Sequence, residues 1–178
     1  NNALLDFNRG SWHNPPAQVT WPEGMKKERD AIIRGYKNSP CWVFKDPRVL
    51  LTLEGWLEGL SGHAVAFAAT FRHPLAVAQS LYHRNQIPVE KGLSLWKTYN
   101  EKLLTQYAAM HFPVISFDLP GPGYREKVAV MLKQLSLHSD SRTSEFYEDE
   151  LRRQVQTHDA DLDSDIAALY EKMNRIAI

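Results

Sequence analysis

Two stretches of the chain combine residue types and spacings that could hold an anion. In Arg72-His-Pro-Leu-Ala-Val-Ala-Gln-Ser80-Leu-Tyr-His-Arg84 a cation ends an apolar run, a proline follows, and a hydroxyl comes two helical turns later. If Pro74 opens a helix, Ser80 lies roughly 9 Å further along its axis at ~1.5 Å per residue. Ser80 and Arg84, four apart, then share a polar face. An arginine offers a charged planar fork and a serine a short donor, a pairing suited to a tetrahedral oxyanion. A plainer arrangement uses the same residues: Arg72 paired with a carboxylate and Ser80 facing solvent. On chemistry alone the plainer arrangement is preferred, because strand-end arginines are common and the motif is short.

The second stretch is Phe44-Lys45-Asp46-Pro47-Arg48, in which two cations flank an acid at a helix start. Helix N-termini favour anionic ligands. Capping alone accounts for an Asp before a Pro, whereas Lys45 and Arg48 have no such local role. The remaining candidates are weaker. Seven histidines are scattered without ligand spacing, so no metal is expected. His73 reads as a turn residue and His83 as a helix-surface residue. Gly121-Pro122-Gly123 is too short to cradle a phosphate, and the acidic stretch from Asp140 to Glu171 reads as a solvated helical surface. The five tryptophans read as core or loop anchors.

The elements that must position these residues follow from periodicity. Short apolar runs at residues 41–44, 64–71 and 113–117 read as buried strands. Residues 10–24, rich in proline and glycine, read as a loop. Helices are expected near residues 26–36, from Asp46-Pro47 to Gly62, over 74–85, 93–110 and 124–135, and in a helical tail near 144–154 and 162–176. Strands alternating with helices imply a parallel sheet with helices on both faces. Right-handed crossovers would bring Lys45, Asp46, Arg48, Arg72 and Asp118 to one edge, where such sheets bind ligands. Three strands make a thin sheet, and a further strand is expected beside them.

Composition sets the outer bounds. The 178 residues fit one domain, and 43% hydrophobic content supplies a full core without disulfides or a metal. Lysine plus arginine and aspartate plus glutamate are equal at 21 each, which removes the broad basic field of a general nucleic-acid binder. Cys41 is the only cysteine, so no intrachain disulfide forms. The longest apolar run is less than half a membrane span, and no signal peptide is visible. A soluble protein of a reducing compartment, most simply the cytoplasm, is expected. The first residues read as a helix already under way, as in a chain that begins inside a larger protein.

Together the motifs resemble the PAPS-dependent sulfotransferases, especially the soluble bacterial branch. The likeness runs through Trp-Val-Phe-Lys-Asp-Pro-Arg (42–48), Phe-Arg-His-Pro-Leu-Ala-Val-Ala-Gln-Ser-Leu-Tyr-His-Arg (71–84), Gly-Leu-Ser-Leu-Trp-Lys-Thr-Tyr-Asn (92–100) and Val-Ile-Ser-Phe-Asp (114–118). Glu-Leu-Arg-Arg (150–153) and Asp-Ile-Ala-Ala-Leu-Tyr (165–170) extend it into the tail. The resemblance implies a P-loop-type three-layer α/β/α sandwich, and sulfuryl transfer from 3′-phosphoadenosine 5′-phosphosulfate (PAPS) to a hydroxyl or amine without a metal. Arg72 and Ser80 would hold the 3′-phosphate of the co-substrate, with Arg48 and Arg84 as further cofactor-binding candidates. Lys45 would face the acceptor and, with Asp46, is a catalytic candidate. A glycan or glycolipid acceptor is the expected class.

The chain departs from the family pattern in one large respect. No Gly-x-x-x-Gly-Lys-Ser/Thr or Gly-x-x-Arg-Ser-Gly-Thr loop for the 5′-phosphosulfate occurs in the 178 residues. The Gly-Tyr/Phe-Trp/Phe-Glu segment, whose glutamate would be the base in bacterial relatives, is absent too. The expectation is therefore a single sulfotransferase-like domain without its first strand, phosphate loop and first helix, inactive as it stands. The alternatives are a non-catalytic relic and a nucleotide or sugar kinase of the same fold class.

Overall fold

Apolar residues at three- and four-residue spacing dominate the chain, and helix dominates the fold. The computed structural model describes residues 1–137 and 162–178. Among these residues are seven helices and two strands, which fall into two compact units, Asn1–Val65 and Ala66–Ile178. The helix expected near residues 144–154 lies outside the described residues.

The first unit contains α1 (Asn2–Phe7), α2 (Glu23–Gly35) and α3 (Val49–Gly59). Its core takes Leu4 and Leu5 from α1, Ile33 from α2, and Leu51, Leu53 and Trp56 from α3. Asn8 fastens the proline-rich loop: its side chain donates to the carbonyls of Leu4 and Thr20 and accepts the Thr20 N–H at 2.8 Å. Between α2 and α3, Arg29 is 5% exposed and donates to the Gly55 carbonyl and to Glu58, while its guanidinium lies over Trp21. Gly55 and Gly59 let Trp21 and Arg29 approach the α3 backbone, since a Cβ at either position would collide with those side chains.

The second unit is built on a parallel pair, β1 (Ala69–Phe71) and β2 (Val114–Ser116), in the register Ala69↔Val114, Thr70↔Ile115, Phe71↔Ser116. β2 is the buried strand, with Val114 and Ile115 at 0% exposure. The Val114 carbonyl also accepts the N–H of Ile178 at 3.0 Å. The crossover from β1 to β2 is a helical hairpin of α4 (Pro74–Asn85) and α5 (Val89–Met110), turned at Gln86 in a left-handed conformation. The helix α6 (Gly121–Gln134) follows β2, and α7 (Ser164–Ile176) packs on α5 through Ile166, Leu169 and the fully buried Met173.

The fold is thus mixed helix and sheet with a small parallel sheet, and it corrects several expected elements. Residues 41–44 are not a strand. Val43 is 90% exposed, and Trp42 stacks between Tyr36 and Phe44 with centroids at 4.7 and 5.7 Å. A short apolar run becomes a strand only where a neighbour supplies hydrogen bonds, and here its aromatic rings stack on one another and on Trp56 instead. The strand expected over 64–71 is confined to Ala69–Phe71, because Ala64, Val65 and Ala66 are exposed. The helix placed at Asp46-Pro47 begins in regular form at Val49, after a turn closed by the Val49 N–H on the Asp46 carbonyl. Lys45, Asp46 and Arg48 therefore do not stand at a strand end.

Candidate functional site

The chemistry gathers where the parallel strands end. Phe71 is the last residue of β1, and Arg72 follows it directly. Pro74 occupies the first position of α4, so the chain passes from strand to helix in two residues. His73 caps that helix: its Nδ1 accepts the Leu75 N–H at 3.3 Å. Proline at the first helical position and an acceptor before it are the local reasons the helix starts there.

Asp118, just beyond β2, ties this turn to the neighbouring strand. Its Oδ2 accepts the His73 N–H at 2.6 Å, and its Oδ1 lies 3.6 Å from Arg72 Nε. The Asp118 N–H in turn donates to Ser116 Oγ. Arg72 is held from other sides as well. Its carbonyl accepts Trp96 Nε1–H at 2.8 Å, and its guanidinium lies 5.8 Å from the Phe117 ring centroid. Tyr170 of α7 closes the cluster, with its hydroxyl 3.5 Å from Asp118 Oδ2 and its ring 4.9 Å from that of His73. The Arg72 side chain remains 23% exposed, so solvent and solutes reach it. The arrangement suits binding and orientation of an anion; His73 Nδ1 is engaged in the cap and is not a proton acceptor for a ligand.

The other candidates of this unit lie on the outer face of α4. Ser80 is exposed and has no hydrogen-bond partner among the described residues. Arg84 is exposed and donates to Asn85 Oδ1. The paired Arg72 and outward Ser80 are both features of the plainer arrangement that the sequence also allows.

Lys45, Asp46 and Arg48 belong to the first unit. Lys45 is exposed. Asp46 Oδ1 accepts the Arg48 N–H at 3.0 Å and Arg48 Nε–H at 2.7 Å, and Oδ2 accepts Asn1 Nδ2–H at 2.7 Å. Burial pushes the Asp46 carboxyl up, but hydrogen bonds from the Arg48 and Asn1 side chains and the Arg48 N–H outweigh it. The group is held below its ordinary value of 3.8. Asn1 Oδ1 accepts from both Thr52 and Trp56, and Arg48 donates to Asn2. Asp46 and Arg48 thus serve as the brace between α1 and the start of α3, whose N-cap position is Arg48 rather than the expected Asp46.

Asp118, Trp96 and Tyr170 acquire roles here that the sequence did not assign. Asp118 was legible as an edge residue, Trp96 only as an anchor, and Tyr170 only through a tail resemblance. Among the described residues no group of three or more His, Cys, Asp or Glu is arranged to hold a metal, and no helix is long and apolar enough to cross a membrane. No protein-family model, curated protein or solved structure matches the chain.

Proposed function

We propose that the protein is a PAPS-dependent sulfotransferase, a P-loop-type three-layer α/β enzyme of the cytoplasm that sulfates a hydroxyl or amine on a small-molecule or glycan acceptor. The observation that carries the proposal is the position of Arg72 at the C-terminal end of a parallel strand, one residue before the capped start of α4. That is where open parallel sheets bind ligands, and an arginine there suits a phosphate.

In this reading Arg72 and Ser80 hold the 3′-phosphate of the co-substrate. The acceptor oxygen or nitrogen attacks sulfur in line, the bond from sulfur to the 5′-phosphate oxygen breaks, and the acceptor proton leaves to a base. Catalysis of this kind is mostly positioning and charge stabilisation. None of these 178 residues is assigned to the 5′-phosphosulfate loop or to the base. Lys45 is the candidate facing the acceptor.

The test is calorimetric titration of the full product of the reading frame with 3′-phosphoadenosine 5′-phosphate and with adenosine 5′-phosphate. Arg72→Ala should weaken the first by about 1.5–3 kcal/mol, the range for a hydrogen bond to a charged group, and the second far less. Equal losses for both ligands would show that Arg72 does not read the 3′-phosphate. The Arg72–Asp118 ion pair favours a second reading, in which Arg72 locks the two strand ends together and the fold is non-catalytic. Under that reading Arg72→Ala lowers the melting temperature and neither nucleotide binds the wild type.

A further inference from the structure

We infer that aromatic rings of the first unit form a relay for one oxidising equivalent, carrying an electron vacancy from buried Trp56 through Phe44 and Trp42 to Tyr36 at the surface. The route lies wholly within Asn1–Val65 and uses no residue of the Arg72 site. Four ring contacts mark it. Trp21 meets Trp56 edge-on at 5.9 Å, and Trp56 meets Phe44 at 5.0 Å. Phe44 stacks on Trp42 at 5.7 Å, and Trp42 stacks on Tyr36 at 4.7 Å with the ring planes 11° apart. Tryptophan and tyrosine are the most readily oxidised aromatic side chains. Electron tunnelling falls off exponentially with distance, so rings in contact exchange an electron far faster than rings apart. Phe44 is not itself oxidised and serves as the bridge between two indoles.

The two ends of the route differ, and that sets its direction. Trp56 is 8% exposed, and its indole N–H donates to Asn1 Oδ1, an amide oxygen that is no base. Oxidised Trp56 therefore keeps its proton and its positive charge, which is unfavourable in so dry a place. Beyond it, the Arg29 guanidinium lies over the Trp21 ring and opposes a second positive charge there, an effect damped by Asp30 and Glu58. Tyr36 is 45% exposed, so its phenol releases a proton to water as it gives up an electron. A neutral tyrosyl radical results, and the vacancy comes to rest at Tyr36.

The electrons balance as follows. A small diffusible radical takes one electron from Trp56, an electron moves from Tyr36 through Trp42 and Phe44 to refill it, and the phenol proton passes to water. A soluble thiol then gives the tyrosyl radical a hydrogen atom, which restores Tyr36 and leaves a thiyl radical. The core of the first unit is thereby spared covalent oxidation. Ring packing for stability alone is the plainer account of the same contacts, and it entails no transfer.

The test is pulse radiolysis of the full product of the reading frame with azide radical, which at neutral pH oxidises tryptophan ahead of tyrosine. Wild type should show first-order decay of tryptophanyl absorbance matched by growth of tyrosyl absorbance, at a rate independent of protein concentration. Tyr36→Phe keeps the ring stack and should delete that phase. Trp42→Phe keeps a ring in place but one that resists oxidation, and should slow the phase several-fold. The pair Trp96 and Tyr170, at 6.2 Å in the second unit, can add a phase of its own that neither variant alters. Peptide mapping after the same exposure should find Tyr36 modified in wild type, and Trp56 oxidised several-fold more in Tyr36→Phe.

Tyrosyl growth unchanged by Tyr36→Phe overturns the inference. So does Tyr36 modification that persists undiminished in Trp42→Phe, because the radical has then attacked the exposed phenol directly. If Trp42→Phe does not fold, Trp56 oxidation in the Tyr36→Phe variant decides alone, and a level equal to wild type overturns the relay.

Discussion

Gly92 of α5 faces Ala78 of α4 so closely that a Cβ added to the glycine would stand 2.8 Å from the Ala78 Cα and 2.9 Å from its Cβ. The helical hairpin between the two strands depends on this contact, since Ala78 is fully buried. Helix propensity favours Gly92→Ala by up to about 1 kcal/mol, but the clash is with backbone and costs about 1–3 kcal/mol as overpacking. The net change should be destabilising, read as a lower urea midpoint. Gly123→Ala in α6 meets nothing within 4 Å, so it should raise the midpoint. Equal signs for the two variants would mean that the hairpin does not need its glycine.

Asp46 makes a pH prediction with a definite sign. Its folded carboxyl titrates below the ordinary value of 3.8, so the folded state binds fewer protons than the unfolded chain in that range. Its contribution to stability is present above 3.8 and is lost as pH falls through the folded value. The stability difference between wild type and Asp46→Asn should therefore be largest near neutrality and shrink on acidification below that point. Denaturant melts of both proteins at a series of pH values measure it, and a constant difference would contradict the ion pair with Arg48.

His73 should be replaceable by a residue that caps. His73→Ala removes the acceptor of the Leu75 N–H and should cost about 1 kcal/mol more than His73→Asn, the usual value of an N-cap. Both variants lose the ring contact with Tyr170, so their difference isolates the cap. Equal melting temperatures for the two would show that the Nδ1 contact contributes nothing.

Residues 1–178 expressed alone should release no 3′-phosphoadenosine 5′-phosphate from PAPS, even with acceptor present. If Arg72 and Ser80 hold the co-substrate as proposed, they reach only its 3′ end, while the reacting sulfur hangs from the 5′ end. Stabilisation of the leaving phosphate, often the largest catalytic contribution, then has no group to supply it. The same assay on the full product of the reading frame should show turnover. Turnover by residues 1–178 would place a 5′ site and a base within them.

Much of the local structure was legible. Pro74 and the apolar spacing of Leu75, Ala78 and Leu81 announce α4, and α4 runs over the residues expected. The helices expected near 93–110 and 162–176 appear as Val89–Met110 and Ser164–Ile176. The strand-end position of Arg72 was legible for the same reason, since an apolar run stops there and a helix signal begins. The run at 41–44 carried an equally good strand signal and is not one, because Trp42 and Phe44 found ring partners and the backbone found no strand.

By itself the sequence determined which stretches form helices, within a few residues at their ends, because caps, prolines and three- to four-residue spacings act within a few positions along the chain. It also determined the neutral charge balance, the single cysteine and the candidate residues. Tertiary structure alone decided what those residues meet. Asp118 reaches the His73 N–H across 45 positions, and Tyr170 reaches Asp118 across 52. Such contacts depend on strand pairing and helix docking, which no local spacing encodes. The site around Arg72 exists because a parallel crossover brings two strand ends together, and that closure is a property of the folded chain.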